Sequence, residues 1–391
     1  MFKRVALTLV LLLVAAGVAI ATSSTAESAG KQDSASSASR MLVGFYDDES
    51  VFGRTDWAFT QLKSLRANVV RITIDWASVA KRRPTAPADP ADKAYNWTAV
   101  DTVVKAAKAK KISVVAAIYG TPRWAGPAKN RLPRKVTDLR LFAFAAAQRY
   151  SGTFSVEPLE NEAEPKFLPA VRYWLAWNEP NNPVFLKPQW KMVSRQWRPQ
   201  SAYDYAKICS AVYAGVHSTG LAGEKVGCGV TGPRGNDAPR SSRPSTSPLV
   251  FLTWVRRAGL KRFDAWAHHP YYGSRQEKPT TVPDSKKAIT LGNIGLLIKQ
   301  LNALYGRGKR LWITEYGYQT LPPDRLFGVP YAAQAKYLQQ AYKLARNTRR
   351  VDMFVWFLIR DERRIAGWQS GVVTVRGQRK PAFRAFQTMK R

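Results

Sequence analysis

Glu179 and Glu315 lie far apart in the chain but in similar local settings. The first sits near the end of Arg172-Tyr-Trp-Leu-Ala-Trp-Asn-Glu-Pro-Asn181. That stretch begins as an apolar, aromatic run with the composition of a buried strand. It breaks at Asn178-Glu179-Pro180, since proline cannot donate to a sheet ladder. Arg310-Leu-Trp-Ile-Thr-Glu-Tyr-Gly317 repeats the design, with Glu315 after a hydrophobic run and a glycine to release the chain. Two glutamates displayed alike at two strand ends form the pair that glycoside hydrolysis needs, and retention needs their carboxyl groups about 5–5.5 Å apart. One must stay protonated near neutral pH, through partial burial or a nearby negative charge. The other must stay ionised, and Tyr271 and Arg71 are candidate donors to it. Either glutamate alone reads equally as a surface carboxylate or a salt-bridge partner; the paired setting gives them their meaning.

The elements that must position this pair alternate along the chain. Strands are expected at 41–46, 68–76, 112–118, 172–177, 225–230, 263–269, 310–314 and 351–359. Helices are expected at 55–65, 97–110, 137–150, 201–219, 249–258, 289–305, 331–347 and 381–389. Eight β-then-α units over this length indicate an α/β fold, a (β/α)8 barrel. The glutamates then fall on the fourth and seventh strands, across the barrel mouth from each other. Loops after the fourth to eighth strands are long and rich in Pro, Gly, Arg and aromatics, and such loops build the active face of a barrel. Residues 182–200 carry Phe185, Trp190 and Trp197 among basic residues, either as a wall for stacking sugar rings or as a packed aromatic minicore.

Trp177-Asn178-Glu179-Pro180-Asn181 and Ile313-Thr314-Glu315-Tyr316-Gly317 resemble the acid/base and nucleophile motifs of retaining (β/α)8 glycosidases, the large clan whose two glutamates end strands four and seven. The first motif is most similar to that of glycoside hydrolase family 39, the group of β-xylosidases, α-iduronidases and bacterial exopolysaccharide hydrolases. The resemblance covers nearly all of the chain after the tether in element order, and its specificity lies in these short motifs. It implies that Glu179 is the general acid/base, Glu315 the nucleophile, and Asn178 a ligand of the sugar 2-hydroxyl. It also implies an arginine near the nucleophile, a His-x-Tyr on strand six and a tryptophan on strand eight that floors the sugar site. Arg71, His269-x-Tyr271 and Trp356 match those positions.

Each match has a rival from packing alone. Arg71 on strand two either reaches inward to Glu315 or makes an outward salt bridge. Adjacent strand residues point to opposite faces, so His268 and His269 cannot both face the mouth, whereas His269 and Tyr271 share a face. His269 is otherwise a satisfied packing histidine, Tyr271 a mouth-lining aromatic and Trp356 a core residue. Asp75, Trp76 and Tyr119 are lesser candidates for sugar contacts, while Asp361 and Glu362 are set to meet basic loops. No metal, nucleotide or organic cofactor is implied. The rival activities are a non-hydrolytic glycan- or wall-binding barrel, and a transglycosylase using the same residues.

The chain has 391 residues and a formal net charge of +34. Such an excess attracts anionic polymers, which tilts the expected saccharide partner toward an anionic polysaccharide; an evenly solvated basic surface is the alternative. No nucleic-acid-binding signature accompanies it. Residues 1–21 read as a signal peptide, with a basic start, an apolar run and Ala19-Ile20-Ala21 as the cleavage site. Residues 22–40 read as a disordered Ser/Ala-rich tether, and 41–391 as the catalytic domain. Export to the cell exterior or wall is expected, with no stable membrane span after cleavage. Cys209 and Cys228 fit that compartment either as one disulfide or as two buried thiols.

Overall fold

The computed structural model describes residues 41–155 and 166–391. The expected leader and tether, and most of the acidic loop expected at 157–169, lie outside the described residues. In chain order the elements are β1 (Leu42–Tyr46), α1 (Asp48–Gly53), α2 (Thr55–Ser64), β2 (Val69–Asp75), α3 (Trp76–Val79), α4 (Thr98–Ala109), β3 (Ser113–Tyr119) and α5 (Val136–Arg149). There follow β4 (Tyr173–Ala176), β5 (Lys191–Val193), β6 (Gln196–Arg198), α6 (Gln200–His217), β7 (Lys225–Thr231) and α7 (Pro248–Arg257). The last are β8 (Ala265–His268), α8 (Ile294–Tyr305), β9 (Arg310–Ile313), α9 (Tyr331–Asn347), β10 (Val351–Phe357) and α10 (Pro381–Gln387).

Every expected strand and helix is present, most within about two residues of its expected ends; the helix expected from 289 starts later, at Ile294, behind a 3-10 turn over Leu291–Asn293. Eight strands close into a barrel in the order β1-β10-β9-β8-β7-β4-β3-β2, and all their pairings are parallel. Asp47 helps to seal the junction between first and last strand: one carboxylate oxygen accepts from the Ser50 amide, the other from the amides of Ile359 and Arg360.

Strand alternation divides the core in two. Inside the barrel, Val69, Val115, Leu175, Ala265, Ala267, Trp312, Met353 and Val355 pack together. Their neighbours, such as Val70, Ala116, Trp174, Trp266 and Phe354, pack outward in the main core. The inner layer is tight: a Cβ on Gly227 would lie 2.7 Å from the Trp312 ring and 2.8 Å from Leu175. Cys209 of α6 and Cys228 of β7 form a disulfide across a separation of 19 residues. Loop-closure entropy puts its stabilisation at about 3 kcal/mol.

Three local features depart from the sequence expectation. Short helices α1 and α3 follow β1 and β2, each N-capped by an aspartate, Asp47 and Asp75. The loop at 182–200 contains a hairpin of β5 and β6 in which Met192 faces Trp197; three-residue strands are too short for alternation to mark them. Finally, the fourth barrel strand stops at Ala176, before the proline. Trp177 has φ +72° and Glu179 φ +33°, in the left-handed region that bulky residues seldom occupy. The turned segment is still stitched to both neighbours, since the Trp177 amide donates to the Ile118 carbonyl and the Glu179 amide to the Val230 carbonyl, both at 2.9 Å.

Candidate active site

Arg71 lies in the middle of β2 with inward parity, between Val69 and Thr73, and is fully buried. Its Nη1 donates to Glu315 Oε1 at 2.6 Å and to the Thr314 carbonyl at 3.1 Å, while Nη2 donates to Asn178 Oδ1 at 2.7 Å. The guanidinium also stacks 4.2 Å from the centre of the Tyr46 ring. The Tyr271 hydroxyl donates to the other Glu315 oxygen at 3.1 Å. One cation and one phenol thus hold the charge of an ionised Glu315. Burial keeps the Tyr271 hydroxyl protonated far above its ordinary range, with the nearby glutamates adding to the effect.

Glu179 is in a different setting. Burial pushes its carboxyl pKa up, against the opposing effects of the Asn182 amide and Arg71. Its Oε2 accepts from the Asn182 amide at 3.1 Å and its Oε1 lies 3.0 Å from His269 Nδ1. The proton position on His269 follows from its other partners. Nε2 faces Arg71 Nη1 at 3.2 Å and the Thr314 hydroxyl at 3.0 Å. An arginine can only donate, so Nε2 accepts and the ring hydrogen sits on Nδ1, aimed at Glu179. Burial pushes the pKa of His269 down to about 3, which leaves it neutral through the physiological range. His268 faces the other way, as parity requires, against the Thr231 hydroxyl and the Ile289 carbonyl.

Glu179, His269 and Glu315 each offer an atom within 4.8 Å of the others. Such a trio could hold a cation in principle. Here Arg71 Nη1 already approaches both Glu315 Oε1 and His269 Nε2, so a metal ion would meet a fixed positive charge. The same geometry brings the carboxylates close enough to act on a single bond.

The two glutamates open into a cavity of about 540 Å3, lined also by Tyr46, Asn178, Phe185, Tyr271, Phe357 and Trp368. This is within the range of small-molecule sites. Asn178 gives its carbonyl to Arg71, which leaves its amide NH2 for a ligand. Arg71, Asn178, Glu179, His269, Tyr271 and Glu315 are therefore gathered into one hydrogen-bonded group.

Trp356, expected as the sugar-site floor, lies elsewhere. Met353 and Val355 point into the barrel, and Trp356, one residue out of phase, is fully buried in the outer core with its indole N–H on the Ser370 carbonyl. Phe357 and Trp368 take the floor position, their rings 5.3 Å apart. Of the lesser candidates, Trp76 packs outward against Trp124 and Phe142, and Asp75 caps α3 and pairs with Lys129 at 2.7 Å. Tyr119 sits edge-on to Trp177. Asp361 meets a basic partner, Lys380, in a buried pair at 2.7 Å.

Sequence reasoning gave no role to Asn182, Thr314 or Trp368. Thr314 adjoins Glu315 within its motif and Asn182 directly follows the other motif, which is a usable signal; Trp368 lies in a loop with no periodicity to place it. Gly232, directly after β7, belongs to neither motif. A Cβ there would stand 3.0 Å from the Glu179 carboxyl carbon and 3.1 Å from both of its oxygens. Gly232→Ala is expected to push that carboxyl out by a few tenths of an ångström and to lower kcat about tenfold, with an unchanged melting profile. Steady-state kinetics beside thermal denaturation checks this.

No family model and no curated protein sequence matches the chain. Among solved structures it is similar to a family 39 glycoside hydrolase from the gut symbiont Bacteroides cellulosilyticus WH2, with TM-score 0.62 and 16% identity over 90% of this chain and 63% of that one. A glucosidase from Croceicoccus marinus matches with TM-score 0.59 and 17% identity over 89% of this chain and 65% of that one. A β-glucosidase from Thermotoga maritima matches with TM-score 0.56 and 12% identity over 89% of this chain and 96% of that one. The chain spans less than two thirds of the length of the first two. At such identities the likeness establishes the shared barrel, the one expected from the motifs.

Proposed function

We propose that the chain is a retaining glycoside hydrolase, with Glu315 as nucleophile and Glu179 as general acid/base. The observation that carries this is the approach of the two carboxylates within 4.8 Å in contrasting settings. One is partly buried beside a neutral histidine and an amide; the other is buried and held by Arg71 and Tyr271. Inverting enzymes separate the pair by about 6.5–9.5 Å to admit a water between sugar and base, while retaining ones need about 5–5.5 Å. In the first step Glu315 attacks the anomeric carbon as protonated Glu179 gives its proton to the leaving oxygen. In the second, ionised Glu179 takes a proton from water, which attacks the anomeric carbon from the face the leaving group left, opposite Glu315, and so displaces it. The free Asn178 amide is placed to hold the hydroxyl next to the anomeric centre.

The substrate is a saccharide, and the charge of +34 favours an anionic one. The leader-like start of the chain and its disulfide support export. Purified protein, screened on aryl glycosides and polysaccharides, is expected to release a sugar whose anomeric configuration, followed by proton NMR before mutarotation, matches that of the substrate. Release of the opposite anomer would overturn the assignment of Glu315 as nucleophile.

A further inference from the structure

Beside the catalytic cavity lies a second, of about 440 Å3, and the two share Val184 and Arg243 in their walls. Three cations line it, Arg131, Lys187 and Arg243, and no acidic residue does. Among the described residues none of the three has a carboxylate partner for its side chain. By contrast, Lys129 and Arg83, also near the barrel mouth, are paired with Asp75 and Asp138.

The floor of this second cavity is built. Arg131 and Lys187 form a parallel backbone bridge between the loops after β3 and β4. The Lys187 amide donates to the Asn130 carbonyl at 2.9 Å, and the Asn130 side chain donates to the Val184 carbonyl at 3.1 Å. Trp190 forms part of the wall, its indole N–H held by the Ser245 carbonyl at 3.2 Å. Placing two like charges on paired backbone positions without an acid to separate them works against folding stability; an arriving anion relieves that repulsion.

Position gives the cavity a role. Glu179 donates its proton to the leaving oxygen, so the leaving part of the substrate lies on the Glu179 side. The residues that follow Glu179 directly, from Asn182 to Trp190, run from the wall of the first cavity into the wall of the second. We propose that the second cavity is a leaving-group subsite for an acidic sugar unit, carrying a carboxylate or a sulfate ester, with Arg131, Lys187 and Arg243 as its recognising groups. The planar forks of the two arginines suit bidentate contact with either oxyanion, and Trp190 offers an apolar ring face. The subsite rests on the hydrolase assignment for its orientation, and on its own walls for its charge preference.

The test is calorimetric binding to the full chain carrying Glu315→Gln, repeated with Glu179→Gln, at about 150 mM salt so that diffuse attraction is screened. The probes are tetrasaccharides of hyaluronan (carboxylate), chondroitin sulfate (carboxylate and sulfate) and chitin (neutral). At least one acidic probe is expected to bind about tenfold more tightly than the neutral one. Arg131→Glu with Lys187→Glu is expected to abolish that preference. Lys105→Glu with Lys108→Glu, on the exposed face of α4, carries the same charge change and is expected to alter the preference by less than about twofold. Equal loss in both double variants, or no preference in either background, overturns the subsite. Preference without turnover of any glycoside by the unmodified chain overturns the hydrolase assignment and keeps the acidic-sugar site. Turnover without preference does the reverse.

Discussion

Glu315→Ala is expected to lower turnover by about 10⁵-fold while leaving a folded barrel, the scale of loss seen when a covalent nucleophile is removed. Without Glu315 no glycosyl ester can form, and water has no base on that face to activate it. The vacated space lies against Arg71 and the Tyr271 hydroxyl, a positive and hydrogen-bonding wall made for an oxyanion. Added azide should therefore enter it, attack the anomeric carbon, restore part of the turnover and leave a glycosyl azide of inverted configuration. Because the substitution leaves Arg71 buried without its main counter-charge, it is expected to cost about 3–5 kcal/mol of stability. Circular dichroism and a melting curve must accompany the kinetics, and Glu315→Gln, which keeps the shape, serves as the companion variant. Undiminished hydrolysis in a folded Glu315→Ala chain would remove Glu315 from the reaction.

Much of this group could be seen in the sequence because it depends on strand parity and on motifs. Counting by two along a strand puts His269 and Tyr271 on one face, and a buried arginine needs a carboxylate, which makes Glu315 one of the two kinds of partner open to Arg71. Trp356, matched by resemblance alone, has no such count behind it. Residues 353–359 are apolar at every position, as expected of a strand buried on both faces, so nothing in composition says which alternate set points inward. The resemblance implies a tryptophan at the mouth on this strand, whereas Phe357 lines the cavity there and Trp368 joins it from the loop after β10. The turn at Trp177 was hidden for another reason. A bulky residue at positive φ contradicts local preference, and here it is sustained by the backbone bonds to β3 and β7 and by its indole N–H on the Phe185 carbonyl at 2.7 Å. That twist brings the Glu179 carboxyl against Gly232 and His269, an outcome set by three separate strands. The second cavity was hidden likewise, since Arg131, Lys187 and Arg243 come from three loops.

Glu179→Gln separates proton donation from everything else the site does. For glycosides with poor leaving groups, kcat/KM is expected to fall about 10³–10⁴-fold, the upper range for loss of a positioned general acid. Substrates with a dinitrophenyl leaving group, which departs without a proton, should fall far less. The pH profile has a defined sign. Glu179 must be protonated to act in the first step, and burial raises its pKa, so kcat/KM should hold at lower pH and decline as pH climbs through that raised value. The glutamine variant has no such proton to lose, and its alkaline decline should vanish. His269 cannot supply that decline, because burial holds its pKa down at about 3 and it is already neutral over the whole window. A decline that persists unchanged in Glu179→Gln would therefore belong to a group outside the carboxylate pair, and the acid would have to be sought elsewhere in the cavity.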